Sequence, residues 1–380
     1  MTSQPDIVVR PVANGADLEA FIGVPRALHG HEPNWVPPVN RHVRSQLAAG
    51  SAGRGPLLER ELLVAWQQGS PVGRIAATAQ LDHAGNCEGT FGHFETIDKV
   101  SVSKTLLESA AKWLVKRGAT QMIGPTNGSP IDETGILIDG FDGRPSIGEG
   151  YNPAFYGRHL SEFGFRKLED FLAYQISYDD LDRDLANLSP SLYRIARKVG
   201  EHPDVRVRGL RWADWQVDVA VAHRLYVDSH ATISGHRSMS LERFQSLANA
   251  LRPILVPDLA LVVEVGGKPA GLAIALLDLN EALQQVGDPD SVLGRVKLLW
   301  KLRRIETIAF KLLGILPGFR KRGLESVLIL ELARRAVDKG FEHCEISLVR
   351  EGNAAMRQVL QRFGAKVRRT YRVYERPLVG

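Results

Sequence analysis

The sequence predicts an α/β protein built from two consecutive halves of similar element order. Three observations carry that prediction. A chain of 380 residues exceeds one ordinary hydrophobic core, and suits two domains of roughly 150–200 residues. A hairpin signal occurs twice, as Pro71-Val72-Gly73-Arg74-Ile75-Ala76 and as Pro269-Ala270-Gly271-Leu272-Ala273-Ile274, each time after an apolar run and a polar turn. A helical segment ends at Gly164-Phe165 in the first half and at Gly364-Ala365 in the second, and a last strand follows each.

Taken in order, Ile7–Pro11 reads as a strand and Pro33–Pro38 as a proline-rich connection. Leu62–Trp66 and Pro71–Thr78 form a hairpin turning near Gln67–Ser70. Phe91–Phe94 reads as another strand. Leu106, Leu107, Ala110, Ala111 and Leu114 give Ser103–Arg117 a helical period. Met122–Pro125, a segment from Tyr151-Asn152-Pro153 to Phe163, and Phe171–Ile176 complete the half. The second half replays this with Val205–Arg208, Leu259–Glu264, a Gly266-Gly267-Lys268 turn and Pro269–Ala275. Strand Ile308–Leu316, helix Leu324–Val337, strand Glu345–Val349, helix Asn353–Phe363 and strand Arg369–Tyr374 follow. The acidic, polar stretch Asp179–Pro190 is the expected junction between domains 1–180 and 190–380.

Bulk properties narrow the function classes. Hydrophobic content of 44% with 24% charged residues fits a globular chain. No apolar stretch reaches the ~20 residues that cross a bilayer. The start, Met1-Thr2-Ser3-Gln4-Pro5-Asp6, shows no signal peptide. Two cysteines, Cys87 and Cys344, make neither a disulfide framework nor a metal site, so no metal and a cytoplasmic setting are expected. No Gly-x-Ser-x-Gly elbow, Walker loop or His-Glu-x-x-His occurs.

The formal charge of +5 is distributed unevenly. Arg295, Lys297, Lys301, Arg303, Arg304, Lys311, Arg320, Lys321 and Arg322 face the single acid Glu306 between Leu293 and Arg322. Polyphosphate, an anionic membrane surface and a solvated helix face each fit this pattern. Nucleic acid is not expected, because no zinc-finger spacing or stacking motif accompanies the cations.

The richest segment is Pro317–Leu328, where an apolar run, a basic glycine-containing turn and a helix start meet. That order suits a bound pyrophosphate, since a helix N-terminus presents unpaired N–H groups and the positive end of its dipole. Arg320-Lys321-Arg322-Gly323-Leu324-Glu325 resembles the acyl-CoA loop of the GNAT acyltransferase superfamily, and Asn353 before a helix resembles a later motif of that family. The resemblance covers about residues 258–376, and the first half shares the order but has Ile97–Lys104 where its loop would stand. Phe91-Gly92-His93-Phe94-Glu95, Gly124-Pro125, Gly135–Asp142 and Tyr151–Tyr156 look like a subgroup of long bacterial GNAT proteins, to which bacterial ceramide synthases are similar.

This resemblance implies two tandem GNAT-like domains, each a mixed, mostly antiparallel sheet flanked by helices, with one degenerate half. It implies an acyl-CoA-dependent N-acyltransferase, with acyl-CoA as co-substrate and an amine as acceptor. The amine is a long-chain base in the ceramide synthases. A small amine, a protein N-terminus, or non-catalytic binding of acyl-CoA stay open as alternatives. The donor would pair along Gly314, Ile315 and Leu316, its phosphates on the N–H groups of Arg322, Gly323, Leu324, Glu325 and Ser326, beside the charges of Arg320 and Lys321.

Two departures matter. Glu325 stands where the family has Gly or Ala, and a carboxylate about 4 Å from a phosphate charge costs roughly 1 kcal/mol even in water. It either turns outward, favoured by the helix N-terminus, or weakens donor binding. Leu360 replaces the family's general-acid Tyr; Tyr371 or Tyr374 substitutes for it, or both are packed strand aromatics. His93 and Glu95 alternate on a strand and are the candidate bases, Glu95 first because aromatic neighbours would raise its pKa. Tyr151, Asn152, Tyr156, His236, Asp278 and Asn280 are the acceptor-side candidates. The basic, apolar segment 293–313 either lies peripherally on an anionic membrane, at its inner face, or completes the core and binds CoA phosphates.

Overall fold

The computed structural model describes residues 7–48, 58–81, 85–127, 133–178, 185, 190–231 and 239–378. The chain begins with β1 (Val8–Pro11), α1 (Gly15–His29), α2 (Asn40–Ala48), β2 (Leu58–Gln67), β3 (Ser70–Leu81) and β4 (Cys87–Thr96). Next come α3 (Val100–Val115), β5 (Gln121–Gly124), β6 (Ile136–Asp139), α4 (Phe155–Glu162) and β7 (Arg166–Ser177). The second half opens with α5 (Pro190–Gly200), β8 (Val205–Gly209), α6 (Trp215–His230), α7 (Leu241–Leu251), β9 (Leu255–Val265) and β10 (Lys268–Leu277). It ends with α8 (Leu279–Leu283), α9 (Val292–Leu302), β11 (Thr307–Ile315), α10 (Leu324–Asp338), β12 (His343–Arg350), α11 (Ala354–Arg362) and β13 (Lys366–Pro377).

Two compact units form, one from Met1–Leu172, Leu283–Leu299 and Arg368–Gly380, the other from Ala173–Ala282 and Trp300–Val367. The sequence reading keeps all of 190–380 together. Strand pairing instead groups residues from Arg368 onward with the first unit, because Tyr374–Pro377 of β13 pair with β5 and Thr370–Arg372 with β6. The expected junction at 179–190 lies, apart from Leu185 and Pro190, outside the described residues.

In the first unit β1 to β4 are successively antiparallel, and β4 pairs β5 in parallel. The β2–β3 turn places Gln68 and Gly69 at φ 52° and 78°, the left-handed pair of a tight hairpin. Alternation then sorts the sheet's two faces. Leu63, Ala65, Ile75 and Ala77 pack with Leu106, Leu107, Ala110 and Leu114 of α3, while Val64 and Ala76 pack with Phe21 of α1.

The second unit repeats the pattern: β8, β9, β10 and β11 are antiparallel in turn, and β11 pairs β12 in parallel. Ala222 and Leu225 of α6 pack on Val262 and Leu272. The repeated Pro-x-Gly has one physical cause in both halves. A Cβ at Gly73 would lie 2.7 Å from Glu95 O, and one at Gly271 would lie 2.8 Å from Gly314 O. Each glycine lets its strand close on the next, and a register shift adjoins Gly73 on the β4 side and Gly271 on the β9 side. Each half is thus a mixed, mostly antiparallel sheet flanked by helices.

Candidate active site

In the second unit β11 and β12 pair from Thr307↔His343 to Phe310↔Ile346, and β11 then runs on along β10 to Ile315. Among the described residues no loop or side chain is bonded to an N–H of residues 312–315 on the β12 side. A tight turn at Pro317–Phe319 leads to Lys321 and Gly323 at φ 61° and 80°. Gly323 N-caps α10 without a side-chain cap, unlike α1 and α11, which Asn14 and Asn353 cap. The first N–H groups of α10 are without a side-chain acceptor and have exposed Lys321 and Arg322 beside them, an arrangement that suits an anion. This donor set fits a pyrophosphate.

The loop's other residues divide. Arg320 staples the turn, donating to Ile315 O at 3.3 Å and Ser229 O at 2.7 Å. Leu324 and Ser326 are buried, so their side chains face the core and only their N–H groups face the turn. Glu325 sits half-buried in the first helical turn, where the dipole favours a carboxylate. Asn353 caps α11, its Oδ1 accepting from Met356 N at 3.1 Å. Leu360 is in the core.

The matching region of the first unit is filled from within. β4 and β5 pair in parallel only at Gly89↔Met122 and Thr90↔Ile123. Past that point Thr126 N donates to Phe91 O (2.8 Å), His93 N donates to Asn127 Oδ1 (2.8 Å), and Thr96 N donates to Tyr156 Oη (2.9 Å). The chain's own groups occupy the strand edge that β11 leaves open. Lys99, not glycine, precedes α3 there.

Around that plug lies a buried polar cluster. Glu95 Oε2 accepts from His29 Nε2 at 2.8 Å and from Tyr156 Oη at 2.9 Å, and Oε1 lies 3.6 Å from the Arg74 guanidinium. The acceptor being a carboxylate, His29 carries its proton at Nε2. Arg74 also donates to Phe21 O and lies over the Phe21 ring, against which the His93 ring stands edge-on. The expected rise in the Glu95 pKa is overturned. Burial does push it up, but the His29 hydrogen bond and charge, Arg74 and Tyr156 outweigh burial, and the carboxyl sits below its ordinary range. Burial and the neighbouring Glu95 carboxylate raise the Tyr156 phenol well above its usual value.

His29 and Arg74 are members the sequence reading missed. Of the other candidates, Tyr151 Oη donates to Glu32 at 3.3 Å, and its ring stands beside His29. Asn152 bridges backbone, accepting from Leu137 N and donating to Leu137 O. Tyr371 does not join Glu95: it is fully buried, its hydroxyl donates to Glu149, and burial and that carboxylate raise its pKa well above the usual value. Asp278 is fully buried and accepts from Asn280 N at the start of α8. His236 lies outside the described residues.

Searched against protein-family models, the chain matches none. It is 29% identical to a bacterial ceramide synthase of Caulobacter vibrioides, over 98% of both chains. It is 27% identical to protein YghO of Escherichia coli, over 98% of this chain and 95% of that one. Its fold matches a tandem GNAT protein from the clavulanic acid biosynthesis pathway with a TM-score of 0.58 at 12% identity, covering 99% of each chain. A GCN5-related N-acetyltransferase from Sphaerobacter thermophilus matches with a TM-score of 0.54 at 13% identity, covering 100% of this chain and 98% of that one. The chain has the tandem GNAT fold and is similar along almost its whole length to a bacterial ceramide synthase.

Proposed function

We propose that the chain is an acyl-CoA-dependent N-acyltransferase whose acceptor is a long-chain, sphingoid-type amine. The observation that carries this reading is the uncapped α10 N-terminus behind the Lys321–Gly323 turn, at the end of a strand whose far edge is open. Residues Gly314 to Leu316 would bind the donor's amide arm, and Arg322 to Ser326 its phosphates through backbone N–H groups.

In the reaction the acceptor nitrogen attacks the thioester carbonyl carbon, the C–N bond forms and the C–S bond breaks. An ammonium acceptor loses two protons on becoming an amide; the leaving thiolate takes up one and one is released. We assign proton acceptance to Glu95, which is ionised at neutral pH and keeps 15% of its side chain exposed. His29 and Tyr156 hold its orientation.

The lipid acceptor is supported by kinship with the Caulobacter protein and by the basic, apolar segment 293–313, which suits peripheral contact with an anionic membrane. Thiol release tests the proposal. The purified chain receives acetyl-CoA or palmitoyl-CoA with a long-chain base, a polyamine or a peptide. Release with palmitoyl-CoA and the long-chain base is expected. Release only with acetyl-CoA and a soluble amine would overturn the lipid acceptor. No release together with no CoA binding would overturn the enzyme.

A further inference from the structure

Helix α9 carries apolar side chains on two sides. Gly294 is buried against Asp288 O, and Leu298 and Leu302, four and eight residues on, are half-buried. The other apolar stripe points outward: Val292 is 75% exposed, Leu293 65%, Val296 60%, Leu299 66% and Trp300 50%. Spacings of four, three and one residues keep those five on one helical face. Contiguous exposed apolar side chains of this size mark an interaction surface rather than ordinary scatter.

The charges say which kind. Arg295 and Lys297 flank the outward stripe on its two sides, and Arg303 and Arg304 follow its end, all four exposed. The Arg304 guanidinium lies 3.8 Å over the Trp300 ring, and Lys301 lies 5.4 Å from it. The acids before the helix are engaged elsewhere. Asp288 pairs with Arg26 at 3.6 Å, and Asp290 accepts from Asn40 N at 2.9 Å. Ser291 fixes the first turn by accepting from Gly294 N at 3.0 Å. The helix is thus moored at its N-terminus with its apolar face outward. An amphipathic helix with flanking cations and a tryptophan among them matches the interface of an anionic bilayer, with rings at headgroup depth and stems snorkelling.

We infer that α9 docks the chain on an anionic membrane by inserting Leu293, Val296, Leu299 and Trp300 among the lipids while Arg295, Lys297, Arg303 and Arg304 meet the headgroups. This deepens the lipid-acceptor reading and rests on it for its purpose, although docking and turnover are measured separately. No helix among the described residues is long and apolar enough to cross a membrane, so attachment through α9 is interfacial.

Flotation of the full chain with phosphatidylcholine vesicles, and with vesicles also containing phosphatidylglycerol, tests it. The variant pair V296Q/L299Q removes the stripe's centre, and K297Q/R303Q removes two cations. Wild type should float with the anionic vesicles alone. V296Q/L299Q should lose binding. K297Q/R303Q should weaken it roughly twenty-five-fold, about fivefold for each cation at an anionic surface. Circular dichroism of both variants should match wild type, since every replaced residue is exposed. Wild type that stays unbound, or V296Q/L299Q that floats like wild type, overturns the inference. So does sedimentation velocity that shows a wild-type dimer dissociated by V296Q/L299Q with no vesicle binding, since the occupant would then be a second copy. Thiol release with detergent-dispersed base should be equal in wild type and V296Q/L299Q. If neither releases thiol while vesicle binding behaves as expected, the enzyme reading fails and the docking inference stands.

Discussion

Gly323→Ala is the sharpest perturbation of the donor turn. Gly323 holds φ 80°, and a Cβ there would lie 2.7 Å from Ile195 Cγ2 and 3.3 Å from Val199 Cγ2 on α5. Left-handed backbone costs a non-glycine residue roughly 1–2 kcal/mol. Ile195 is 44% exposed, so it can swing aside, at an off-rotamer cost of about 0.5–1.5 kcal/mol. If the turn keeps its shape, the cost falls on stability. If the turn relaxes, the cost falls on donor binding, because the N–H groups must be reassembled around the phosphates. The two losses therefore sum to about 1.5–3.5 kcal/mol, equivalent to roughly 10- to 400-fold in affinity when all of it falls on binding. Calorimetric titration with acyl-CoA and urea unfolding, run on G323A, I195A and the double variant, measure both parts. The double variant should recover the steric part and not the backbone part. Turnover at saturating donor should change little. G323A that binds acyl-CoA and unfolds like wild type would show that the turn does not need the left-handed glycine.

Glu95→Gln should lower kcat about a hundredfold or more if the carboxylate accepts the proton, and turnover unchanged across pH would remove that role. The same change takes the nearby carboxylate from the Arg74 guanidinium, which is 6% exposed and keeps its bond to Phe21 O, at a cost of up to about 3–5 kcal/mol that R74M added to E95Q should partly restore in urea unfolding. Because the folded pKa of Glu95 is depressed, its contribution to stability is complete above the unfolded value near 4.5 and is lost as pH falls through the folded value, so E95Q should flatten the acid limb of the stability curve. Tyr156→Phe leaves the N–H of Thr96, a residue 1% exposed, without its acceptor, and should cost about 1–3 kcal/mol in the same unfolding assay. Cys344 is 3% exposed and burial pushes its thiol up to about 12, so a disulfide reagent at neutral pH should leave it unmodified until urea unfolds the chain.

What the sequence disclosed follows from the range of the interactions involved. The hairpins, β11 and α10 rest on local period and turn chemistry, and the Pro-x-Gly repeat records a close strand approach that recurs at Gly73 and Gly271. His29 was hidden because α1 itself went unread: Pro25 lies inside it and breaks the helical signal before the histidine is reached. The plug of the first unit joins Phe91 to Thr126, His93 to Asn127 and Thr96 to Tyr156, pairings over long sequence distances that no local spacing encodes. Glu95 was legible as a candidate base beside aromatic residues, yet the sign of its pKa shift depended on His29 and Arg74, which approach it from other elements. Asn353 illustrates an ambiguity of residue type: an asparagine before a helix serves as a cap whether or not a ligand is near. For α9 the apolar pattern was readable, but two apolar stripes were present, and only the packed structure distinguishes the buried one from the exposed one.

One acyl-donor site per chain is expected, on the turn before α10, with its counterpart in the first half closed by the chain's own groups. Calorimetric titration of palmitoyl-CoA measures this directly. A single equivalent per chain should bind, lost in K321E/R322E and retained in N127A. Two equivalents, none, or one that survives K321E/R322E would contradict it.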